Sequence, residues 1–354
     1  MIKKLRCAIY LGSLCAGSAV TNAGYAQSSV NVYGIIDTNI EWTNNNAVAA
    51  GSQEGGSRLR LASGGLQGPR WGMRGTESLG DGLSALFVLE NGFNPDNGTA
   101  AESTRLFNRL ALVGIESRAG KVTLGRQYTS LFEILLPYSP LMYSGTYEPM
   151  PYIVGQARAD NSVKYSYQDK ALRFQAHYGF GETPGSLSPN SAWGIGASYA
   201  LPANITLLSA FDQANGPETA NSSYTKSRKA LLAATYQWRT VGLYAGYRWA
   251  QDKAASGAAT FQGAVWWLGT SWAATPSLKI SAVLYLDDPG KPAADRRNAQ
   301  QFVLQAIQAL SKRTDIYAAF GRSRNAGLNF AALSTLAANE NSQNGFAVGI
   351  RHRF

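Results

Sequence analysis

Two residue types that carry much of protein chemistry are scarce in this 354-residue chain: the only cysteines are Cys7 and Cys15, and the only histidines are His177 and His352. Both cysteines fall in the first 26 residues, which read as a cleaved secretory signal. Lys3, Lys4 and Arg6 are followed by a weakly apolar stretch from Cys7 to Val20, and then by Gly24-Tyr25-Ala26, with small residues where a signal peptidase cuts. A lipid-attachment reading of Cys15 is disfavoured by Leu14, because a small residue usually precedes such a cysteine. The mature chain is therefore expected to span 27–354 and to hold no cysteine, which excludes a disulfide framework and thiol chemistry.

The shortage of histidine bears on catalysis and metals. An activated nucleophile commonly relies on His, yet His177 lies in "FQAHYGF" without a Ser or Asp constellation, and His352 lies two residues from the terminus. Two distant histidines give zinc or iron no ligand set. No catalytic residue, cofactor or metal site is assigned; the acidic pair Asp287-Asp288 leaves a loop calcium open. "GDG" at 80–82 is a turn, and no glycine fingerprint precedes a helix.

Long apolar runs are also missing. Hydrophobic residues make up 45% of the chain, yet nothing after the signal approaches the ~20 apolar residues of a spanning helix. The mature protein is then either soluble or a closed β-barrel, whose lipid-facing residues alternate with polar interior ones. The formal charge is +10, and removal of the signal leaves +7. Excess basic charge often marks nucleic-acid binding, but an exported chain meets little nucleic acid. Small anionic solutes and anionic lipid headgroups are the expected partners.

What the chain has in abundance is alternation. In "VGLYAGYRWA", Val241, Leu243, Ala245, Tyr247 and Trp249 share one face and Gly242, Tyr244, Gly246 and Arg248 the other. In "RLFNRLALVGIE", Leu106, Leu110 and Leu112 oppose Arg105, Phe107 and Arg109, which places the arginines toward water. Such segments are predicted near 30–41, 67–77, 82–91, 105–116, 121–128, 162–168, 172–180, 192–200, 204–212, 227–238, 241–250, 263–273, 278–287, 301–310, 314–322 and 345–354. That is an all-β, antiparallel transmembrane barrel of about 16 strands, a size class that encloses a water-filled channel. Tight connectors ("SLGDG", "SRAG", "QDKA", "LPAN", "RT") alternate with long ones ("NNNAVAAGSQEGGS", "NPDNGTAAEST", "DQANGPETANSSYTK", "NAGLNFAALSTLAANENSQN"), as short periplasmic turns and long outer loops do. Trp193, Tyr199, Trp238, Tyr244, Tyr247, Trp249, Trp266, Trp267, Trp272 and Tyr285 are expected to form interfacial girdles. At the terminus "GFAVGIRHRF", Phe346, Val348 and Ile350 should face lipid and Arg351 and Arg353 the lumen, with Phe354 closing the last strand against the first.

One connector breaks the pattern. From Thr129 to about Asp160 there is no alternation, and Pro137, Pro140, Pro149 and Pro151 interrupt an aromatic, apolar run. A long insertion of this kind is usually functional, and its composition is poorly suited to disorder. It should pack on the inner wall of the barrel.

The chain resembles the trimeric general porins of the Gram-negative outer membrane, in their beta-proteobacterial form. The resemblance rests on "SSVNVYGIIDTNIEW", "GPRWGMRGTESLGDGLSALFVLENGF", "RLFNRLALVGI", "KVTLGRQY", "RADNSVKY" and "VGIRHRF". It implies passive diffusion of small hydrophilic solutes through the outer membrane, with alternatives in a porin preferring one organic anion and in a barrel enzyme. It implies a homotrimer, contact with outer-membrane lipids and lipopolysaccharide, and recognition of terminal Phe354 by the barrel-assembly machinery. In that family the loop after strand 5, here about 129–160, folds inward and faces an arginine ladder. By position the ladder corresponds to Arg70, Arg109 and Arg158, with Arg74, Arg105 and Arg126 as possible extensions. Members often carry Pro-Glu-Phe-Gly in that loop; here Pro137-Tyr138-Ser139-Pro140 stands in its place. Glu133, Glu148 and Asp160 are thus the candidate opposing acids. Several arginines facing few acids should make the pore anion-selective.

Overall fold

The structure is a computed structural model that describes residues 29–49, 51–219, 222–288, 290, 298–325 and 336–354. The expected signal at 1–26 and residues 326–335 of the expected last outer loop lie outside these. The strands are β1 (Ser29–Ala47), β2 in two collinear segments (Gly55–Ser63 and Arg70–Gly80), β3 (Leu83–Asn94), β4 (Leu110–Ser117), β5 (Gly120–Tyr128) and β6 (Arg158–Gln168). They continue with β7 (Leu172–Gly179), β8 (Ala192–Leu201), β9 (Ile205–Asn215), β10 (Lys226–Trp238) and β11 (Val241–Lys253). Last come β12 (Ala259–Ala273), β13 (Leu278–Asp288), β14 (Gln300–Ala309), β15 (Thr314–Arg324) and β16 (Ser342–Arg353). Each pairs antiparallel with its chain neighbour, and β16 returns to β1, with Ile35 opposite Arg353 and Thr43 opposite Gly345. Closure leaves no free sheet edge, so every strand N–H and C=O can be paired within the wall. The expected 16-strand barrel is the observed one.

The wall sorts by parity. Phe346, Val348 and Ile350 of β16 are exposed on the outer face, as are Leu284 and Leu286 of β13. Buried Gln301 and Gln305 of β14, Asp315 of β15 and Arg351 of β16 occupy the inner face. The end of the chain behaves as its alternation predicts, and Phe354 and Gly34 exchange backbone hydrogen bonds of 3.1 Å. Gly34 is required there, because a Cβ would collide with the Phe354 ring and the Arg70 carbonyl. Tight turns gather at one end of the barrel; at 80–82 the left-handed backbones of Gly80, Asp81 and Gly82 make the reversal.

Three expectations change. The chain enters β4 at Leu110, five residues later than its alternation suggests, because the Asn108 side chain caps the Gly92 N–H (2.8 Å) and bends the approach. In β4 it is Val113 and Ile115 that are exposed outward, so Leu110 and Leu112 lie on the inner face and the parity argument for Arg105 and Arg109 fails. The first segment of β2 falls partly in a stretch expected to be loop; its "RLRL" puts Leu59 and Leu61 on the exposed face. The girdle is partial: Trp193, Tyr199, Trp238, Trp266 and Trp272 are exposed, whereas Trp267 and Tyr285 are buried inside the barrel.

Between its two segments β2 breaks at 64–69. The buried Asp37 carboxylate accepts the N–H groups of Gly65 (3.1 Å), Leu66 (2.8 Å) and Gln67 (2.7 Å) and the Tyr317 hydroxyl (2.7 Å). This crook presents the Gly65 carbonyl inward, and it is the docking point of the inner loop.

Candidate pore constriction

The inner loop starts where Thr129 caps helix α1 (Ser130–Leu135), accepting the Phe132 N–H. Helix α2 (Met150–Val154) precedes its return to the wall. Leu131, Ile134, Leu135, Leu141, Ile153 and Val154 of this loop form the main apolar core together with inward residues of β9 to β16, among them Leu208, Leu231, Val265, Trp267 and Val303. The barrel thus has its core inside its lumen, against one side of the wall. Burying a Val, Leu or Ile side chain stabilises by roughly 1.5–3 kcal/mol, so these six hold the loop firmly.

Polar contacts fix the two ends. At the start, the Ser130 N–H lies 3.1 Å from His177 Nδ1 and the Ser130 hydroxyl 2.9 Å from it, while the Leu131 N–H donates to Asp212 (3.3 Å). His177 is therefore a buried anchor for α1. At the tip, the hydroxyls of Ser144 (2.9 Å) and Thr146 (2.7 Å) donate to the Gly65 carbonyl. Tyr152 of α2 donates to Asp287 at 2.9 Å. Among the described residues no group of three or more His, Cys, Asp or Glu could hold a metal ion.

The loop acids do not face the arginines. Glu148 is fully enclosed and accepts from the Ser139 hydroxyl, the Ser144 N–H (2.9 Å) and the Tyr285 hydroxyl (2.8 Å). Burial pushes its carboxyl above the usual value, against those hydrogen bonds. Glu133 pairs with Lys164 and Arg173 of the wall. Burial alone would raise its carboxyl, but Lys164, Arg173 and Lys121 outweigh it and hold it low. Asp160 belongs to β6 and binds Arg105 (3.0 Å) and Arg126. Arg126 shares the outward parity of Val122 and Leu124, so Arg105, Arg126 and Asp160 form a separate network.

Arg70, Arg109 and Arg158 are brought together. Glu90 of β3 accepts from Arg109 Nε (2.6 Å) and from the Tyr33 hydroxyl (2.9 Å), and Arg70 Nε stands 3.5 Å from it. Arg109 also donates to the Tyr128 hydroxyl (3.0 Å), over whose ring Arg158 lies at 5.0 Å from the centroid. Arg74 lies 5.1 Å over the Tyr33 ring, in the same row as Arg70. Two cations thus bracket the Glu90 carboxylate, and two more lie over the rings of Tyr33 and Tyr128 beside it. On the loop side Tyr143 is close enough for both Arg158 and Arg109 to act on its hydroxyl. Glu90 was not singled out from the sequence. Its signal was its position in "VLENGF", on the strand next to Arg70 and one connector before Arg109.

The family model described as Gram-negative porin matches residues 13–328. Outer membrane porin protein 32 of Delftia acidovorans is 29% identical over 363 aligned residues, covering 95% of this chain and 97% of the relative. An outer membrane porin protein of Bordetella pertussis is 28% identical over 400, covering 97% and 98%. Among solved structures, the anion-selective porin from Comamonas acidovorans matches with a TM-score of 0.80 at 25% identity, over 93% of this chain and all of that one. OmpT of Vibrio cholerae shares the fold at a TM-score of 0.70 and 14% identity, over 92% and 98%. The chain belongs to the Gram-negative porin family, and it is an outer-membrane β-barrel channel rather than an enzyme.

Proposed function

We propose that this porin passes small anions in preference to cations, and that Arg70, Arg109 and Arg158, extended by Arg74, are the selective wall. The observation that carries this reading is that Glu90 pairs with both Arg70 and Arg109 while Arg74 and Arg158 lie over the neighbouring Tyr33 and Tyr128 rings, opposite an inner loop whose own acids are engaged elsewhere. A cluster with a net positive charge attracts anions and raises the energy of cations in a narrow passage. Because the ion pairs are partly satisfied by Glu90 and Tyr128, a passing anion is held weakly enough to leave. The similar porin from Comamonas acidovorans is described as anion-selective, which supports the same sign.

The rest of the reading follows the resemblance: export by an N-terminal signal cleaved near residue 26, and a homotrimer surrounded by lipopolysaccharide and other outer-membrane lipids. OmpT of Vibrio cholerae is described in a trimer form. Phe354, paired with Gly34 at the seam, is the proposed mark for the barrel-assembly machinery. The test is a planar bilayer holding a tenfold KCl gradient. A reversal potential of anion sign is expected; a cation sign overturns the selective wall, and absence of conductance overturns the open pore.

A further inference from the structure

Beneath the tip of the inner loop lies a cavity of about 530 Å³ that the selective wall does not use. Its sides are inward residues at the tight-turn ends of β12 to β16, including Lys279, Ile307, Asp315 and Arg353, and its roof includes Leu66, Leu141 and Met142. On the short-turn side of the barrel this is the periplasmic vestibule. The cavity is amphipathic by construction. Leu66 and Leu141 are buried in its roof, and Ile307 lies opposite Lys279 in the β13–β14 register.

Its charge is positive. The Asp315 carboxylate takes Arg351 through two nitrogens (3.0 and 2.7 Å) and Arg353 through a third (2.9 Å), so two cations share one anion. Lys279 forms no ion pair among the described residues; its Nζ lies 3.8 Å from the Met142 sulfur. Met142 and Tyr143 both hold left-handed backbones (φ 56° and 62°), a costly arrangement for two successive side-chain-bearing residues. The Ser139 hydroxyl, accepting the Tyr143 N–H (3.2 Å), helps to hold them. The result is a thioether held over an ammonium group that has no carboxylate partner among the described residues.

We infer that this vestibule is a binding site for organic monoanions with an apolar body, such as aromatic or branched aliphatic carboxylates. The carboxylate meets Lys279 and Arg353, and the apolar body lies against Met142, Leu141 and Ile307. The inference rests on the reading of the barrel as an anion-passing pore and adds a second station to it, on the periplasmic side of the arginines.

The probe is benzoate, with acetate as the control of equal charge, added at millimolar concentration to either face of oriented single channels in KCl. Benzoate is expected to block from the periplasmic face about tenfold more strongly than acetate, reflecting the buried ring. Lys279→Gln should weaken that block about threefold, as loss of one partly solvated ion pair does. Ala309→Phe, which fills the cavity without removing a charge, should weaken it at least as much. Neither substitution should reverse the sign of the KCl reversal potential. Equal block by acetate and benzoate, equal block from both faces, or block unchanged in both variants would overturn the site. A cation-sign reversal potential with the benzoate block intact would sink only the selective wall.

Discussion

The value of a guanidinium group as a selector depends on how completely a carboxylate neutralises it, and in this lumen that carboxylate is Glu90. It sits between Arg70 and Arg109, so removing it and removing an arginine shift the local charge in opposite directions. Glu90→Gln should raise the chloride-over-potassium permeability ratio, and Arg109→Ala should lower it, each by about threefold, the scale of one screened charge near a narrow passage. Arg322→Ala is the control: Arg322 bonds Asn344 (3.1 Å) on the exposed parity of β15 and should leave the ratio unchanged. Reversal potentials in matched KCl gradients measure all three, and equal effects of Arg109→Ala and Arg322→Ala would mean the charge acts diffusely. The same cluster shows why its acid was not legible. Glu90 is 19 residues from Arg109, on the wall itself, and the family pattern directs attention to the inner loop.

At the scale of elements, the inner loop is a strap with an apolar body and polar fastenings, and Glu148 is the fastening that titrates. Burial raises its carboxyl above the ordinary carboxylate value, so seating the loop favours proton uptake there. The sign follows: this contribution to loop seating is complete at pH below the ordinary carboxylate value, and it is lost as pH rises through the elevated one. Open-channel current noise should therefore increase with pH over that interval, and Glu148→Gln should abolish the dependence while keeping the hydrogen bonds to Ser139, Ser144 and Tyr285 in part. Noise that is flat with pH in the parent protein would contradict this role. The loop's inward position was readable from Leu131, Phe132, Ile134 and Leu135, an apolar run with no place on an outer surface. Its anchors were not readable, because Gly65, Asp37 and His177 are scattered along the chain and meet only when the barrel closes. The strands were legible wherever one face meets lipid and the other water. Where that contrast is blurred, as at the bend of Asn108 or in "GGSRLRLAS", alternation misplaced the boundary.

For the whole molecule the question is whether selectivity is a field or a contact. A closed wall of 16 strands, with neighbours about 4.8 Å apart and tilted roughly 40°, has a radius of roughly 16 Å. The Debye length is about 30 Å at 0.01 M salt and about 3 Å at 1 M. At low salt every inward cation, from the arginine cluster to Lys279 and Arg353, acts across the lumen; at high salt only groups that a passing ion touches still matter. The inner loop fills one side of the barrel and brings Tyr143 opposite Arg109 and Arg158, so part of the preference should be contact and survive screening. Anion preference in the parent protein is expected to fall severalfold as both baths are raised tenfold from 0.01 and 0.1 M KCl, yet to keep its sign at 1 M. In Arg109→Ala the low-salt preference should persist, supported by the remaining lumen charges, while the preference at 1 M largely disappears. Reversal potentials across the two gradients separate the terms. A parent protein that loses all selectivity at 1 M would assign the effect to the field of the whole barrel and remove the arginine cluster from its special place.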